Sequence, residues 1–465
     1  MIAFALSLLL TAVGGSEGTP IRLHPENPRY FLFRGEPAFL ITSGEHYGGV
    51  LNRDFDRTPY LDELKARGFN LTRVFSGTYR EVPGSFNIKD NTLAPKRGGL
   101  ASPWVQVQKD GEPEKFDLDR FDDAYFRRLK AFVSAASDRG IVVEYVLFCP
   151  LYEDNLWAVN PMNAANNING VGKSPRTEVL TLKHADLVKR QLEFVRKAVT
   201  ELNAFDNVYF EICNEPYFGG VTLEWQAKVA ETIVEAEKSL SGRHMIAQNI
   251  ANEKAKVENP NPAVSLFNFH YASPPAVIAL NAGLKAAIGD DETGFRGTGD
   301  RHYRMEAWEF LLAGGSLYNN LDYSFTAAHP DGSAAVNDPT PGGGGPRFRR
   351  QLSILQRFLA GCDFVHMKPS PDFITKRVLP DKARVHALAR PGEYAIYISG
   401  GPKATLTVRL PSGKYRYEWI DTRTGDKART GGFDIAVQAG GEETLESPEY
   451  AEDIALKIVA DGGTR

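Results

Sequence analysis

Residues 208–216 read Val208-Tyr209-Phe210-Glu211-Ile212-Cys213-Asn214-Glu215-Pro216. β-Branched and aromatic side chains dominate the first six positions, the composition of a buried strand. Asn-Glu-Pro then ends it, because proline has no N–H to give to a sheet. Upstream, Val188, Leu192, Val195 and Val199 recur at helical spacing across 183–203, with Lys and Arg on the other face. Downstream, 223–240 repeats that pattern. A helix, a strand, a turn and another helix make one step of an alternating chain whose strands lie parallel.

Seven more short apolar runs extend the alternation: 38–43, 70–75, 142–148, 244–249, 264–269, 286–289 and 316–321. Helical segments at 121–140, 302–312 and 348–359 lie between or after them. Eight strands in this order close most simply into a (β/α)8 TIM barrel, expected over 19–364. A doubly wound open sheet competes, but no G-x-G-x-x-G follows an early strand. Long loops at 76–118 and 150–180 follow the second and third strands, on the side where barrels build their sites. Residues 20–37 read as a β-hairpin closing the barrel floor. Beyond 365 the chain turns to short Val-, Ile-, Tyr- and Thr-rich runs at 384–390, 393–399, 404–410, 414–420 and 454–459, split by turn pairs. A small all-β sandwich is expected over 365–465.

With 465 residues and 42% hydrophobic side chains, the chain can bury a sizeable core. Its net charge of −4 argues against a nucleic-acid partner, which needs a concentrated basic surface. Residues 2–13 form an apolar run followed by Gly14, Gly15 and Ser16. That run is too short to span a bilayer, so 1–18 is expected to be a signal peptide, and the protein secreted or periplasmic. No later stretch is long enough for an integral membrane segment. Cys149, Cys213 and Cys362 make no disulfide framework and read as small buried hydrophobes.

The chemistry centres on Glu215. A carboxyl at a strand end between apolar walls can have its pKa raised by desolvation, as a general acid requires. Asn214 beside it can hydrogen-bond a sugar hydroxyl. A second carboxylate is expected from Ala287-Ile288-Gly289-Asp290-Asp291-Glu292-Thr293-Gly294-Phe295, at the end of the seventh strand. Glu292 is preferred because it precedes a tight Thr-Gly turn; Asp290 and Asp291 are rivals. Glu45, His46 and Tyr47 after the first strand, and Trp104, Tyr152 and Trp157 in the long loops, can face a sugar, with His46 and Trp157 the substrate-binding candidates.

On these motifs the chain resembles the clan A glycoside hydrolases over about 38–362. The resemblance implies a retaining glycosidase acting on a carbohydrate, with no cofactor and no metal. It assigns acid/base to Glu215 in Asn214-Glu215-Pro216 and nucleophile to Glu292. It further implies that Arg73, in Asn-Leu-Thr-Arg, supports the nucleophile, and that His270-Tyr271 ends strand six within hydrogen-bonding reach of it. Ala307-Trp308-Glu309 through Gly314-Gly315, with the trailing β module, is similar to bacterial members whose C-terminal domain is described as collagen-binding. Strand eight departs from the clan, reading Leu317-Tyr318-Asn319-Asn320-Leu321-Asp322-Tyr323 where a Trp often stands. Two other readings remain: a metal-dependent hydrolase using Asp290, Asp291 and Glu292, and a non-catalytic glycan-binding barrel. Adjacent strand residues face opposite ways, which counts against the first.

Overall fold

The computed structural model describes residues 18–107, 114–436 and 441–461. The expected signal peptide therefore lies outside the described residues, except for Gly18. Eight parallel strands form one sheet: Leu40–Gly44, Leu71–Phe75, Val142–Phe148, Val208–Cys213, Ile246–Asn252, Leu266–His270, Ala287–Glu292 and Leu317–Leu321, strands one to eight below. Strand eight pairs with strand one from Leu317↔Leu40 to Leu321↔Gly44. Strands one and two close the ring through Asn70: its backbone N–H donates to Ile41 O at 3.3 Å. The Asn70 side chain accepts from Ile41 N–H at 2.9 Å and donates to Phe39 O at 2.8 Å. An amide side chain thus completes the ladder at the seam, and the sheet is a TIM barrel.

Amphipathic helices Asp123–Ser137, Ala185–Leu202, Leu223–Glu237 and Pro346–Ala360, and the mostly buried helix Asp300–Leu312, cover the barrel. No helix forms between strands five and six, where Pro260 and Pro262 remove the donors a helix needs. Gly344 lets the segment before the last helix press on strand eight's end: a Cβ there would stand 2.1 Å from Asp322 Oδ1. The floor is a three-stranded antiparallel sheet, Arg22–Leu23, Phe31–Phe33 and Glu36–Ala38, one strand more than a hairpin. Ile21 and Phe31 pack there against Leu40, Leu71, Val142 and Leu317.

The C-terminal part is a β-sandwich. One antiparallel sheet has six strands, including Glu393–Ser399, Gly413–Asp421 and Asp453–Ala460; the other has Ile374–Val378, Thr405–Arg409 and Glu442–Glu446. Ile396, Leu406, Trp419 and Leu456 fill the space between them. Strand Lys427–Ile435 escaped the sequence reading because it is a polar edge strand with a Gly-Gly pair. All three cysteines are free and buried. Among the described residues no helix is long and apolar enough to cross a membrane.

The sandwich grips the barrel through buried Asp453. It accepts from Arg304 Nη2 at 2.6 Å, from the Thr422 hydroxyl at 2.6 Å and from the Tyr397 hydroxyl at 3.1 Å. Trp308 stacks on Tyr397, with centroids 5.3 Å apart and planes 15° off parallel. Asp453→Ala should destabilise the protein by about 1–3 kcal/mol in urea denaturation, because the Thr422 and Tyr397 hydroxyls lose their buried acceptor and Arg304 keeps only Glu452 as an acid partner. A loss under about 1 kcal/mol would reduce this junction to the worth of a surface ion pair.

Candidate active site

Strand four's last rung is the N–H of Asn214 donating to Phe148 O at 2.9 Å. Glu215 then turns left-handed, φ +35°, and the Phe218 N–H closes the turn on Glu215 O at 3.0 Å. Tyr47 (φ +59°) and Tyr271 (φ +55°) adopt left-handed backbone at two other strand ends. Such conformations cost roughly 1–3 kcal/mol each for non-glycine residues and persist where surrounding structure enforces them. All three residues belong to one carboxylate pair.

Glu292 accepts from the Tyr271 hydroxyl at 2.7 Å and, on its other oxygen, from the Tyr47 hydroxyl at 3.0 Å and Arg73 Nη1 at 3.4 Å. Glu215 accepts from the Tyr152 hydroxyl at 2.7 Å, the Tyr217 hydroxyl at 3.2 Å and His270 Nδ1 at 3.1 Å. His270 Nδ1 is also 3.6 Å from Glu292 Oε1. One oxygen of each carboxylate and a ring nitrogen of His270 lie within 4.8 Å of one another. Both carboxylates open into one cavity of about 230 Å³.

A second layer lies beneath. Arg73, wholly buried, donates from Nη2 to Glu211 at 2.6 Å and to Asn214 Oδ1 at 2.7 Å, while its Nε is 3.2 Å from Asp291. Its guanidinium sits 4.6 Å from the Tyr47 ring centroid. The Asn268 amide donates to Glu144 at 2.8 Å and to Glu211 and Asp291 at 2.9 Å, drawing three acids from three strands into one knot. A bulge supplies the third. The register of strands six and seven runs Phe269↔Asp290, then His270↔Glu292, so Asp291 is the extra residue. Two consecutive acids thereby turn inward. Asp290 accepts instead from the Ala272 N–H at 3.4 Å and joins neither cluster of three ligand-type side chains among the described residues. The chelating trio Asp290, Asp291 and Glu292 does not form.

Acids outnumber bases here, and protons are shared accordingly. Burial raises Glu144 to about 7, and Glu211 well above the carboxylate range, against the pull of Arg73. Burial would lower His270, but the charges of Glu292 and Asp291 lift it well above its ordinary value. Burial would raise Glu215, yet the His270 hydrogen bond and charge, with the Tyr152 and Tyr217 donors, bring it below. That reverses the expectation from desolvation: the surrounding charges and hydrogen bonds favour the proton on His270 over Glu215.

A pH dependence follows. Burial also raises Glu45 to about 6 and Glu306 to about 7. Between about 4.5 and 7, Glu45, Glu144 and Glu306 hold protons in the folded chain that the unfolded chain has released, so stability falls as pH rises. His270, raised, adds the same sign above 6.5. Burial lowers His302 and His386 to about 4, which works the other way below 6.5, so calorimetry should show Tm declining from pH 6.5 to pH 8; a rise there would mean these carboxyls are ionised in the fold.

Of the residues singled out in the sequence, Glu215, Glu292, Asn214, Tyr271 and His46 line the cavity, with Arg73 and His270 directly behind the carboxylates. Trp157 does not line it. Helix Asp154–Val159 turns its ring into the core, and its indole N–H donates to Ser174 O at 3.1 Å. After strand eight, Tyr323 packs against two cavity-lining side chains, its ring centroid 6.3 Å from His46 and 6.1 Å from Phe295. The sequence reading missed Tyr217, legible only as the residue after Asn-Glu-Pro, whose turn carries it back to Glu215. It also missed Glu81, Asn252, Glu144 and Asn268, which stand in no motif.

No protein-family model matches the chain, and no curated protein matches it. Three solved structures share its fold over nearly its whole length. One, from Bacteroides vulgatus ATCC 8482 and provisionally assigned as a glycoside hydrolase, is 14% identical with a TM-score of 0.68, over 96% of this chain and 83% of that one. A second, described as a glycoside hydrolase, is 15% identical with a TM-score of 0.65, over 96% and 98%. The third, a glycoside hydrolase family 5 protein from the same Bacteroides strain, is 13% identical with a TM-score of 0.64, over 95% and 93%.

Proposed function

We propose that this protein is a retaining glycoside hydrolase acting on O-glycosidic bonds of an oligosaccharide or polysaccharide. One observation carries the reading: two carboxylates from strands four and seven face each other with oxygens within 4.8 Å. Retaining enzymes place their carboxyls about 5–5.5 Å apart, whereas inverting ones leave about 6.5–9.5 Å for a water. The glycoside hydrolase assignments of the fold's neighbours agree.

Glu292, held by Tyr47, Tyr271 and Arg73, attacks the anomeric carbon as the bond to the leaving oxygen breaks. Glu215 gives that oxygen a proton, received from His270 along their 3.1 Å hydrogen bond. An ester to Glu292 forms. Water then attacks the same carbon, Glu215 takes its proton, the ester bond breaks, and the proton returns to His270.

A metal ion held by Glu215, His270 and Glu292 fits less well. All four carboxylate oxygens already accept hydrogen bonds, and Arg73 and His270 supply positive charge. A purely glycan-binding barrel would have no use for so closely opposed a pair of acids. The sandwich serves as a buttress in this reading, and export is proposed from residues 2–13.

Glu215→Gln should lower kcat about 10²–10⁴-fold on substrates with poor leaving groups and much less on activated aryl glycosides. Azide should restore part of the rate and yield a glycosyl azide of retained configuration. Undiminished turnover would remove Glu215 from the mechanism.

A further inference from the structure

We infer that the cavity accepts one sugar ring, the non-reducing terminal residue of its substrate, so that the enzyme works from chain ends. This rests on the hydrolase reading above. Glu215 protonates the departing oxygen, so the leaving group lies on its side; the far side of Glu292 meets the sugar under attack. The two sides are built differently.

On the Glu292 side the wall carries the polar side chains His46, Glu81 and Tyr323, with the exposed ring of Phe295 beside Tyr271 at its rim. His46 stacks on Tyr47, the Glu292 donor, with centroids 5.5 Å apart, and its Nε2 is 3.8 Å from a Glu81 oxygen. His46 and Tyr323 are each only 8% exposed. Neither ring nitrogen of His46 nor the Tyr323 hydroxyl has a hydrogen-bond partner among the described residues. Buried polar groups are seldom left so, and these stand beside a cavity. Glu81 is fixed from behind by the Tyr79 hydroxyl at 3.1 Å and the Asn91 amide at 2.5 Å. A fixed acceptor beside unpaired donors suits adjacent free hydroxyls of a terminal sugar.

Behind them the loops are laced together. The Glu81 N–H donates to Leu93 O at 2.8 Å, and the Thr92 hydroxyl donates to Glu45 at 2.6 Å, lacing the loops after strands one and two together. Gly48 lies so close that a Cβ on it would meet Thr92 O at 2.2 Å. The volume, about 230 Å³, is smaller than the roughly 300–1,000 Å³ that drug-sized ligands fill.

The Glu215 side is apolar and open. Tyr152, its hydrogen-bond donor, is flanked by Phe86 at 5.3 Å and Phe218 at 5.9 Å, both exposed. Exposed rings offer stacking faces to the remaining chain or aglycone.

The test offers aryl monoglycosides and reducing-end-labelled oligosaccharides of pentoses and hexoses, alongside the corresponding polymers. Monosaccharide should be the sole early product, with polymer viscosity unchanged at low conversion. Masking two terminal hydroxyls as a cyclic acetal should slow cleavage at least about 10³-fold, since a site built to bond hydroxyls rejects analogues lacking them. Glu81→Gln and His46→Ala should each lower kcat/KM on the matching aryl monoglycoside about 10²-fold, while adding no cleavage of the masked substrate. Early oligosaccharides of mixed length, or equal rates on masked and free substrates, would overturn the inference and leave the hydrolase reading standing. No turnover of any glycoside would bring down both.

Discussion

Glu292→Ala is expected to lower kcat by at least about 10⁴-fold on every substrate, good leaving groups included, because both chemical steps pass through that carboxylate. The fold should survive. The second layer already holds a surplus of acids around Arg73 and His270, so removing one charge relieves repulsion rather than stranding a base. Azide filling the vacated space would attack the opposite face from the substrate's leaving group and give a glycosyl azide of inverted configuration. The same ion acting on Glu215→Gln should give the retained product, so the pair of variants assigns the two roles by stereochemistry. Activity in Glu292→Ala within tenfold of the parent would unseat it as nucleophile.

Arg73→Met should cost about 3–5 kcal/mol of stability, since the guanidinium stands among Glu144, Glu211, Asp291 and Glu292, and the other base, His270, pairs only with Asp291 and Glu292 of these. The loss should depend on pH. Without Arg73 those acids can be tolerated inside only by holding protons, so the variant should be far weaker at pH 8 than at pH 5. Urea denaturation at both values reads this directly. An equal loss at both would mean that Arg73 contributes packing against Tyr47 rather than charge.

These effects sort into what is local in the chain and what is not. The strand at 208–213 and the turn after it were legible because composition and proline act within a few residues. Glu211, three residues before the visible motif, looked like any polar residue on a strand. Its partners Arg73, Glu144 and Asn268 come from three other strands, and only the closed ring makes them neighbours. Trp157 shows the converse. As a loop aromatic it suited a sugar, but the direction of a ring on a short helix depends on the core it finds, and here that core lies away from the cavity.

The order of strands and helices, the sandwich that follows, and the positions of Glu215 and Glu292 at strand ends were written in the sequence, since periodicity and chain-breaking residues are properties of neighbours along the chain. The inward turn of both Asp291 and Glu292, the opposite pKa shifts of His270 and Glu215, and the juxtaposition of His46 and Glu81 arise from tertiary structure alone. Register, burial and the sum of surrounding charges arise between segments far apart in the chain, and they exist only once the barrel has closed.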